Sequence, residues 1–338
     1  MSALIECIQA FTRGERPPED AIAGAFSILM EGDAGDAEIG GFLIGLAAIG
    51  ETPDDLAAGA KALRARMTGI KAPAGAIDTC GTGGDASGTY NISTAAALVA
   101  AGAGAKVAKH GNRAASSKSG SSEVLAELGV SMSAGPALVE RALGEANVGF
   151  LFAPAHHSAV RHVAAARKAL RARTVFNLLG PLANPAGTKR QLLGVFDARW
   201  LEPVAKALQS LGAERAWVVR GRDGLDEITT TDVTDVVELR GGEIRRFTVK
   251  PEDAGLPRAN MIELVGGTPQ DNASALLDVL DGAPGAYRDI VVLNAAAALI
   301  IADIAADLKD GAQKAAESID SGKARAALDR MAAISRGE

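Results

Sequence analysis

Three polar segments of this sequence contain residue types suited to a phosphorylated ligand, and the first is GTGGDASGTYNIST at 81–94. It places four glycines, one carboxylate and a run of hydroxyls directly after the strand-like AIDTC. Glycines allow successive backbone N–H groups to face one anion without interference from a Cβ atom. NIST at 91–94 stands where it would cap the next helix, whose N-terminus adds partial positive charge. The segment predicts a phosphate or pyrophosphate cradle; a glycine-rich turn before a capped helix is the alternative.

The second polar segment, KHGNRAASSKSGSSE at 109–123, also follows a predicted strand and precedes a predicted helix. Its cations and its serine and asparagine side chains suit phosphate and sugar oxygens. A solvated basic loop before a helix capped by Ser121 or Ser122 is the alternative. That alternative is weakened because two anion-type loops follow neighbouring strands.

The third segment, GRDGLDEIT at 221–229, places two adjacent carboxylates after another predicted strand. Asp226 and Glu227 could hold Mg²⁺, with phosphate oxygens completing its coordination shell. Asp-Glu pairs also occur in solvated turns, so this pair alone is a weak signal. The two phosphate-type loops elsewhere in the chain favour the metal interpretation.

The composition and net charge of the chain limit the classes of protein to which it can belong. The chain has 338 residues, 48% of them hydrophobic and 4% aromatic, which indicates a globular protein with an aliphatic core. The formal net charge of −6 gives the whole molecule no electrostatic reason to bind nucleic acid. A local basic run nevertheless exists. It consists of Arg161, Arg167, Lys168, Arg171 and Arg173.

Several kinds of site and location are not expected. The two cysteines, Cys7 and Cys80, lie far apart, and neither C-x-x-C nor H-E-x-x-H occurs, so neither a zinc site nor a disulfide framework is predicted. The N-terminal 20 residues contain acidic side chains and no long apolar block, unlike a signal peptide. The most apolar segment, 291–308, is predicted to be a buried helix rather than a membrane span. We expect a cytoplasmic protein.

The chain divides into two patterns. Residues 1–70 show helical spacing of Ala, Leu and Ile throughout, and a Gly/Pro connector follows at 69–76. Beyond it, strand-like runs alternate with helical runs, which predicts an α/β domain with a largely parallel sheet. The segment at 235–249 contains a Gly-Gly hairpin signal. The predicted strands are 76–82, 106–111, 148–154, 191–196, 216–221 and the two arms of 235–249.

Five motifs in order carry a family resemblance. They are GTGGD, NIST, KHGNRAASSKSGSSEVL, RTVFNLLGPLANP at 173–185 and GLDE at 224–227. Together they resemble the anthranilate phosphoribosyltransferase family over nearly the whole chain. The resemblance implies an α/β fold with a small all-helical N-terminal domain at 1–70, which also receives helices from about 155–185. The large α/β domain at 74–338 would contain a central, mostly parallel sheet flanked by helices.

The resemblance also implies a reaction in tryptophan biosynthesis. The amine of anthranilate attacks the anomeric carbon of 5-phosphoribosyl 1-pyrophosphate (PRPP), and pyrophosphate leaves. It implies Mg²⁺, two ions per subunit, and a homodimer joined through the helical domain. Neither nucleic acid nor a membrane is an implied partner.

The resemblance assigns the site roles of the family to the matching positions in each motif of this sequence. Ser93, Asp226 and Glu227 are expected to hold Mg²⁺, and Gly81, Asn112 and Arg167 to contact anthranilate with His157 near its ring. Lys109, Asn112 and Arg167 are the residues expected to have catalytic roles. The residues expected along PRPP are Gly81, Gly84, Asp85, Thr89, Asn91, Ser93, Thr94, Lys109, Gly111, Asn112, Arg113, Ala114, Ala115, Ser116, Ser117 and Ser121.

The residue types fit this chemistry. A guanidinium matches the carboxylate of anthranilate, which favours Arg167, although an ordinary exposed helix arginine is the alternative. An aromatic amine is mostly neutral at pH 7, so positioning and electrostatics are expected to dominate over a strong general base. This chain departs from the family pattern His-Pro-Ala, because Ser158 follows His157; the start of the next helix is therefore open.

Two rival functions follow from the same fold. One is a non-catalytic relative that binds nucleic acid, which the negative charge and the intact motifs disfavour. The other is a nucleoside phosphorylase, which also handles ribose and phosphate but fits GTGGD and KHGN poorly. Association with a glutamine amidotransferase subunit stays open.

Overall fold

The computed structural model describes residues 2–114 and 119–338. It begins with four helices, α1 (Ala3–Thr12), α2 (Glu19–Glu31), α3 (Asp36–Ile49) and α4 (Pro53–Arg64). The start of α4 is fixed by a reciprocal cap, in which the Thr52 N–H donates to Asp55 Oδ2 at 2.8 Å and the Asp55 N–H donates to Thr52 Oγ1 at 3.3 Å. This cap and the proline at the first helical position define the beginning of α4.

Within the described ranges, a sheet of seven strands lies at the centre of the part of the chain that follows α4. The strands are β1 (Ile77–Gly81), β2 (Val107–Gly111), β3 (Val148–Phe152), β4 (Arg190–Gly194), β5 (Arg215–Gly221), β6 (Thr234–Arg240) and β7 (Glu243–Val249). Their order is β3-β2-β1-β4-β5-β6-β7. Neighbours from β3 to β5 pair in parallel, while β6 and β7 are added antiparallel. The mostly parallel sheet and the Gly-Gly hairpin are thus confirmed.

Further helices follow α4 along the chain, and some of them cover the two faces of this sheet. They are α5 (Ile92–Gly102), α6 (Ser121–Glu127), α7 (Pro136–Glu145), α8 (Ala153–His156), α9 (Arg161–Leu170), α10 (Phe176–Leu179), α11 (Leu201–Ser210), α12 (Pro269–Leu280), α13 (Ala286–Ile301), α14 (Leu308–Asp320) and α15 (Lys323–Ser335). Leu192 and Trp217 lie in one buried cluster with α5 and α13, whereas Leu193 and Val218 lie in another with α11. Side chains of a strand alternate between faces, so adjacent residues separate the two cores.

The helices after β3 pack onto the N-terminal helices. Val163 of α9 and Leu178 of α10 share one buried core with Phe26 and Phe42. The same core includes residues of α11 and β4, so the helical unit is joined to one face of the sheet. This is the packing that the prediction for 155–185 requires, while the domain limits 1–70 and 74–338 stay a prediction.

Two local details differ from what the sequence suggested. The buried helix predicted at 291–308 is present, but it ends at Ile301, because Asp303 adopts a left-handed φ of 59° and Asp307 caps the next helix by accepting from the Asp310 N–H. The alternative for the second polar segment, a helix capped by Ser121 or Ser122, is not met, since Gly120 stands at the N-cap of that helix. No helix within the described residues is long and apolar enough to cross a membrane.

Candidate active site

The three polar segments meet at one edge of the sheet. Gly81, Gly111 and Gly221 are the last residues of β1, β2 and β5, and the segments singled out from the sequence begin at or beside them. Loops at the carboxyl ends of parallel strands lie on the same side of a sheet, where ligands bind in α/β folds. The topology therefore gathers residues that are distant from one another in the chain.

The carboxylate pair is bound directly to the glycine loop. The Gly83 N–H donates to Asp226 Oδ2 at 2.8 Å, and the Ser93 N–H donates to Glu227 Oε1 at 3.2 Å. A Cβ atom on Gly81 would overlap the Asp226 carboxylate. Gly81 therefore permits the close approach of the two loops, and the structure brings together the three residues predicted to hold Mg²⁺.

Gly194, the last residue of β4, permits a second close approach that the sequence analysis missed. A Cβ atom there would overlap the carbonyl oxygen and carbon of Asp226. The backbone of the loop that contains Asp226 therefore packs directly against the backbone of β4 at Gly194. The signal in the sequence was a glycine that ends the strand-like run QLLGVF.

Lys109 lies under the same cluster and is buried. Its Nζ donates to the Thr79 carbonyl oxygen at 2.7 Å and to Ser93 Oγ at 3.2 Å. Burial lowers the pKa of this amine, while nearby carboxylates, Asp78 most strongly, oppose the shift. Lys109 therefore links the second polar segment to the predicted metal site through Ser93.

The half-buried carboxylates of Asp226 and Glu227 favour a bound cation. Burial, followed by the charge of Asp85, raises the pKa of Asp226 to about 6. Burial and the charge of Asp226 raise the pKa of Glu227 to about 8. Two crowded carboxylates at low dielectric repel each other, and a divalent cation removes that repulsion.

This donor set fits Mg²⁺ held together with a phosphorylated ligand. Carboxylate and hydroxyl oxygens are the hard ligands that Mg²⁺ prefers. Across residues 2–114 and 119–338, no group of three or more His, Cys, Asp or Glu side chains is arranged to hold a metal. Two carboxylates leave coordination positions for phosphate oxygens and water, which is the usual way that proteins bind Mg²⁺.

The glycine loop is held in its conformation from outside the sheet. Gly83 and Gly84 have φ values of 65° and 79°, which favour glycine. The Arg173 guanidinium donates to the Gly84 carbonyl oxygen and lies over the Phe196 ring, 4.2 Å from its centroid. Arg173 belongs to the segment that follows α9, so the helical unit contacts the predicted phosphate loop; sequence reasoning missed this pair.

Asn91 has a different role from the predicted cap. It stands at the N-cap of α5, but its side chain makes no capping bond. Its Oδ1 accepts from Ser119 Oγ at 3.3 Å and from Asn272 Nδ2 at 3.0 Å. Thr89 pairs with Val265 in an isolated antiparallel bridge. A segment near α12 therefore supports this end of the loop.

Thr94 and residues of the second polar segment were also predicted to contact phosphate. The Thr94 hydroxyl is buried and has no hydrogen-bond partner among the described residues, and its contact with phosphate stays a prediction. Ser121 Oγ donates to the Asn112 carbonyl oxygen at 3.4 Å, and Arg113 lies 5.8 Å from the Phe152 ring centroid. Ala114 donates its N–H to Glu123 Oε2 at 3.1 Å. Three predicted contacts, Ala115, Ser116 and Ser117, lie outside the described residues.

Arg167 and two histidines lie on the side of the helical unit. The rings of His110 and His157 are 5.1 Å apart between centroids, and both residues are buried. The half-buried Arg167 guanidinium lies over Phe176, 5.1 Å from its centroid, and burial lowers its pKa. Within 2–114 and 119–338 it has neither a hydrogen bond nor a carboxylate partner, which fits a guanidinium that meets an anionic ligand.

The remaining histidines are structural. His156 Nδ1 is 2.7 Å from the Thr68 carbonyl oxygen, and the His162 ring packs against Gly32. Ser158, which replaces the family proline, begins a short 3-10 turn at Ser158–Val160 that leads directly into α9. The helix therefore starts without the proline.

Comparisons with known proteins agree with this architecture. The family description "Glycosyl transferase family, helical bundle domain" matches residues 5–67, and "Glycosyl transferase family, a/b domain" matches residues 74–325. The anthranilate phosphoribosyltransferase of Maricaulis maris is 64% identical over 338 residues, which is 100% of both chains. The chain belongs to the anthranilate phosphoribosyltransferase family. The member from Rhodospirillum rubrum is 58% identical over 320 residues, 94% of this chain and 92% of that relative.

Solved structures of this family have the same fold. The anthranilate phosphoribosyltransferase of Thermus thermophilus superimposes with a TM-score of 0.93 at 42% identity, covering 99% of this chain and 100% of that one. The Saccharomyces cerevisiae enzyme in complex with PRPP and Mg gives a TM-score of 0.91 at 27% identity, covering 99% and 98%. The α/β fold with a helical N-terminal unit, expected from the sequence, is confirmed.

For this member of the anthranilate phosphoribosyltransferase family, the histidine pair predicts a pH-dependent stability. Burial, and then the neighbouring histidines, lowers the pKa of His110 from 6.5 to about 3 and that of His157 from 6.5 to about 4. As pH falls below 6.5, the unfolded chain gains protons that the folded chain does not. Stability is therefore lost between about pH 6.5 and pH 4. We expect about 2 kcal/mol per histidine between pH 7 and pH 5.

Denaturant unfolding at pH 7 and pH 5 measures this loss. A variant with His110→Gln and His157→Gln should lose less stability over that interval than the wild type, by about 4 kcal/mol. His162→Gln serves as the control and should keep the wild-type pH dependence. An equal loss in the wild type and the double variant would refute the assignment of two buried neutral histidines.

Proposed function

We propose that this chain transfers the 5-phosphoribosyl group of PRPP to the amine of anthranilate, releasing pyrophosphate, as in tryptophan biosynthesis. The observation that carries the proposal is the direct bonding of the GTGGD loop to the carboxylate pair. Gly83 N–H to Asp226 and Ser93 N–H to Glu227 join a phosphate-type loop to a cation-type site. The names of the relatives over the full chain length support the same reaction.

The proposed roles at the pyrophosphate end follow from the contacts. Asp226, Glu227 and the Ser93 hydroxyl would hold Mg²⁺. When bound, Mg²⁺ offsets the negative charge that develops on the departing pyrophosphate. Backbone N–H groups of the glycine loop and the N-terminus of α5 orient the phosphates. Lys109, bonded to Ser93, adds positive charge beneath the same site.

At the acceptor end, the anthranilate nitrogen attacks the anomeric carbon, the bond from that carbon to pyrophosphate breaks, and the amine loses one proton. Arg167 would bind the carboxylate of anthranilate, because a guanidinium matches it in charge and geometry. That guanidinium lies over the Phe176 ring. His110 and His157 are neutral, so they line the acceptor side without adding charge. Asn112 would contact anthranilate from the second polar loop.

Finer features of the family are also proposed for this chain. Two Mg²⁺ ions per subunit are proposed because two phosphate groups and two carboxylates can share them. A homodimer through the helical unit is proposed from the family resemblance alone. A cytoplasmic location fits the free cysteines, Cys7 and Cys80.

A product measurement separates this function from that of a nucleoside phosphorylase. The purified chain with PRPP, Mg²⁺ and anthranilate should release one pyrophosphate for each anthranilate consumed. With a purine or pyrimidine nucleoside and inorganic phosphate, it should form no ribose 1-phosphate. Ribose 1-phosphate formation without pyrophosphate release would replace the proposed function with the phosphorylase.

A further inference from the structure

Asn294 is a fully buried amide in the middle of α13, the helix with the longest apolar run of the chain. Its neighbours in sequence, Leu293 and Ala295, are also fully buried. Placing an amide among apolar side chains is unfavourable unless every polar atom finds a partner. The partners of Asn294 therefore indicate what the residue does.

Both polar atoms of this amide are hydrogen-bonded, and two of the bonds clamp one residue of the carboxylate loop. Asn294 Oδ1 accepts from the Ile228 N–H at 3.0 Å, and Nδ2 donates to the Ile228 carbonyl oxygen at 2.8 Å. Nδ2 also donates to the Ile290 carbonyl oxygen, one turn earlier in α13, at 2.8 Å. The side chain is thus fixed to its own helix and grips both backbone groups of Ile228.

Ile228 directly follows Glu227. The two hydrogen bonds from Asn294 to Ile228 therefore fix the backbone next to the carboxylate pair. Ile228 is itself fully buried. Its backbone groups cannot be satisfied by water, and without Asn294 they lose their partners in the core. On the other side of the loop, Asp223 accepts from the Thr229 and Thr231 hydroxyls. Asn294 therefore binds Ile228, and Asp223 binds the next residue, Thr229.

We propose that Asn294 is a positioning residue for the Asp226–Glu227 pair, acting through Ile228 and making no contact with substrate. The inference rests on the proposed function, because it concerns the cation site used in that reaction. Loss of the clamp frees the peptide next to Glu227 and loosens the Ser93–Glu227 and Gly83–Asp226 contacts. The consequence is weaker binding of a divalent cation with PRPP, without a direct effect on the anthranilate site.

The test compares two variants of α13 in the full-length protein. Asn294→Leu keeps the branched shape and the number of side-chain heavy atoms, is somewhat bulkier, and removes all three hydrogen bonds. Leu299→Ala removes buried atoms from the same helix, away from the carboxylate loop, and controls for a general loss of stability. Binding of Mn²⁺ in the presence of PRPP is followed by the paramagnetic resonance signal of the free ion. Activity against Mg²⁺ concentration and the KM for anthranilate are measured in parallel.

We expect Asn294→Leu to weaken Mn²⁺ binding and raise the half-saturating Mg²⁺ concentration by about tenfold or more, since residues that orient metal ligands have effects of that size. Its KM for anthranilate at saturating Mg²⁺ should equal that of the wild type. Leu299→Ala should bind Mn²⁺ like the wild type. Should Asn294→Leu fail to fold, Asn294→Ala, which removes the same three hydrogen bonds without added bulk or charge, is expected to show the same weakening.

Two results would overturn the inference. One is wild-type Mn²⁺ affinity in a folded Asn294 variant, and the other is equal weakening in Leu299→Ala. The failure of the proposed function looks different, because the wild type itself would then consume no anthranilate. A wild type that is active, together with an Asn294 variant of unchanged Mn²⁺ affinity, rejects the positioning role alone.

Discussion

Replacing Asp226 by Asn together with Glu227 by Gln should reduce Mg²⁺-dependent turnover by about a thousandfold or more. The substitutions keep oxygen atoms that can accept from Gly83 and Ser93, so the loop contacts survive. They remove both negative charges that favour the cation. A metal that stabilises the leaving group contributes several kcal/mol to the transition state, and about 4 kcal/mol corresponds to a factor of about a thousand. Initial rates of anthranilate consumption at increasing Mg²⁺ measure the loss.

The control for this variant removes two surface carboxylates elsewhere. Glu243→Gln and Asp329→Asn change the net charge by the same amount at exposed positions. This double variant should retain wild-type turnover. Near-normal Mg²⁺-dependent rates in the Asp226–Glu227 variant would remove these residues from the metal site.

Arg167→Ala should raise the KM for anthranilate by about 10- to 100-fold. A hydrogen bond between charged groups is worth about 1.5–3 kcal/mol, and here the guanidinium has no competing carboxylate among the described residues. Its guanidinium also lies over the Phe176 ring, 5.1 Å from the centroid. The KM for PRPP should change much less, because Arg167 is assigned to the carboxylate of anthranilate and, in the part of the chain that the structure describes, forms no hydrogen bond with the glycine loop or the carboxylate pair. Steady-state kinetics with each substrate varied in turn separates the two effects.

Lys168→Ala provides the matched control. Lys168 is the adjacent cation on α9 and is exposed, so its removal should leave both KM values unchanged. Arg167→Lys should fall between the wild type and Arg167→Ala, because an ammonium keeps the charge and loses the two-pronged geometry. Equal KM values for anthranilate in Arg167→Ala and Lys168→Ala would show that Arg167 is an ordinary helix arginine.

Much of the fold could be predicted because its signals are local. The alternation of strand-like and helical runs indicated the parallel strands, and Gly241-Gly242 marked the hairpin between β6 and β7. The Thr52–Asp55 cap can be recognised in four consecutive residues. The buried helix predicted at 291–308 is present as far as Ile301, and its end was placed too late because Ala and Ile continue past the left-handed Asp303, which only the three-dimensional context fixes.

The individual loops of the site could be predicted from the sequence better than the contacts between them. GTGGD and GLDE were visible as loop chemistry, and the sheet topology explains why they meet. Contacts between distant segments left little trace in the sequence. Gly194 looked like a strand end, and Arg173 looked like one cation in a basic run. Asn294 appeared only as a polar interruption of an apolar helix, yet its amide anchors the residue next to Glu227.

The transferase activity itself is best tested by anthranilate fluorescence over time, using the purified chain, PRPP and Mg²⁺. We expect a decay that requires all three additions and stops when any one of them is omitted. A flat trace from well-folded protein with all three present would contradict the proposed function. A nucleic-acid binding titration would then test the non-catalytic alternative.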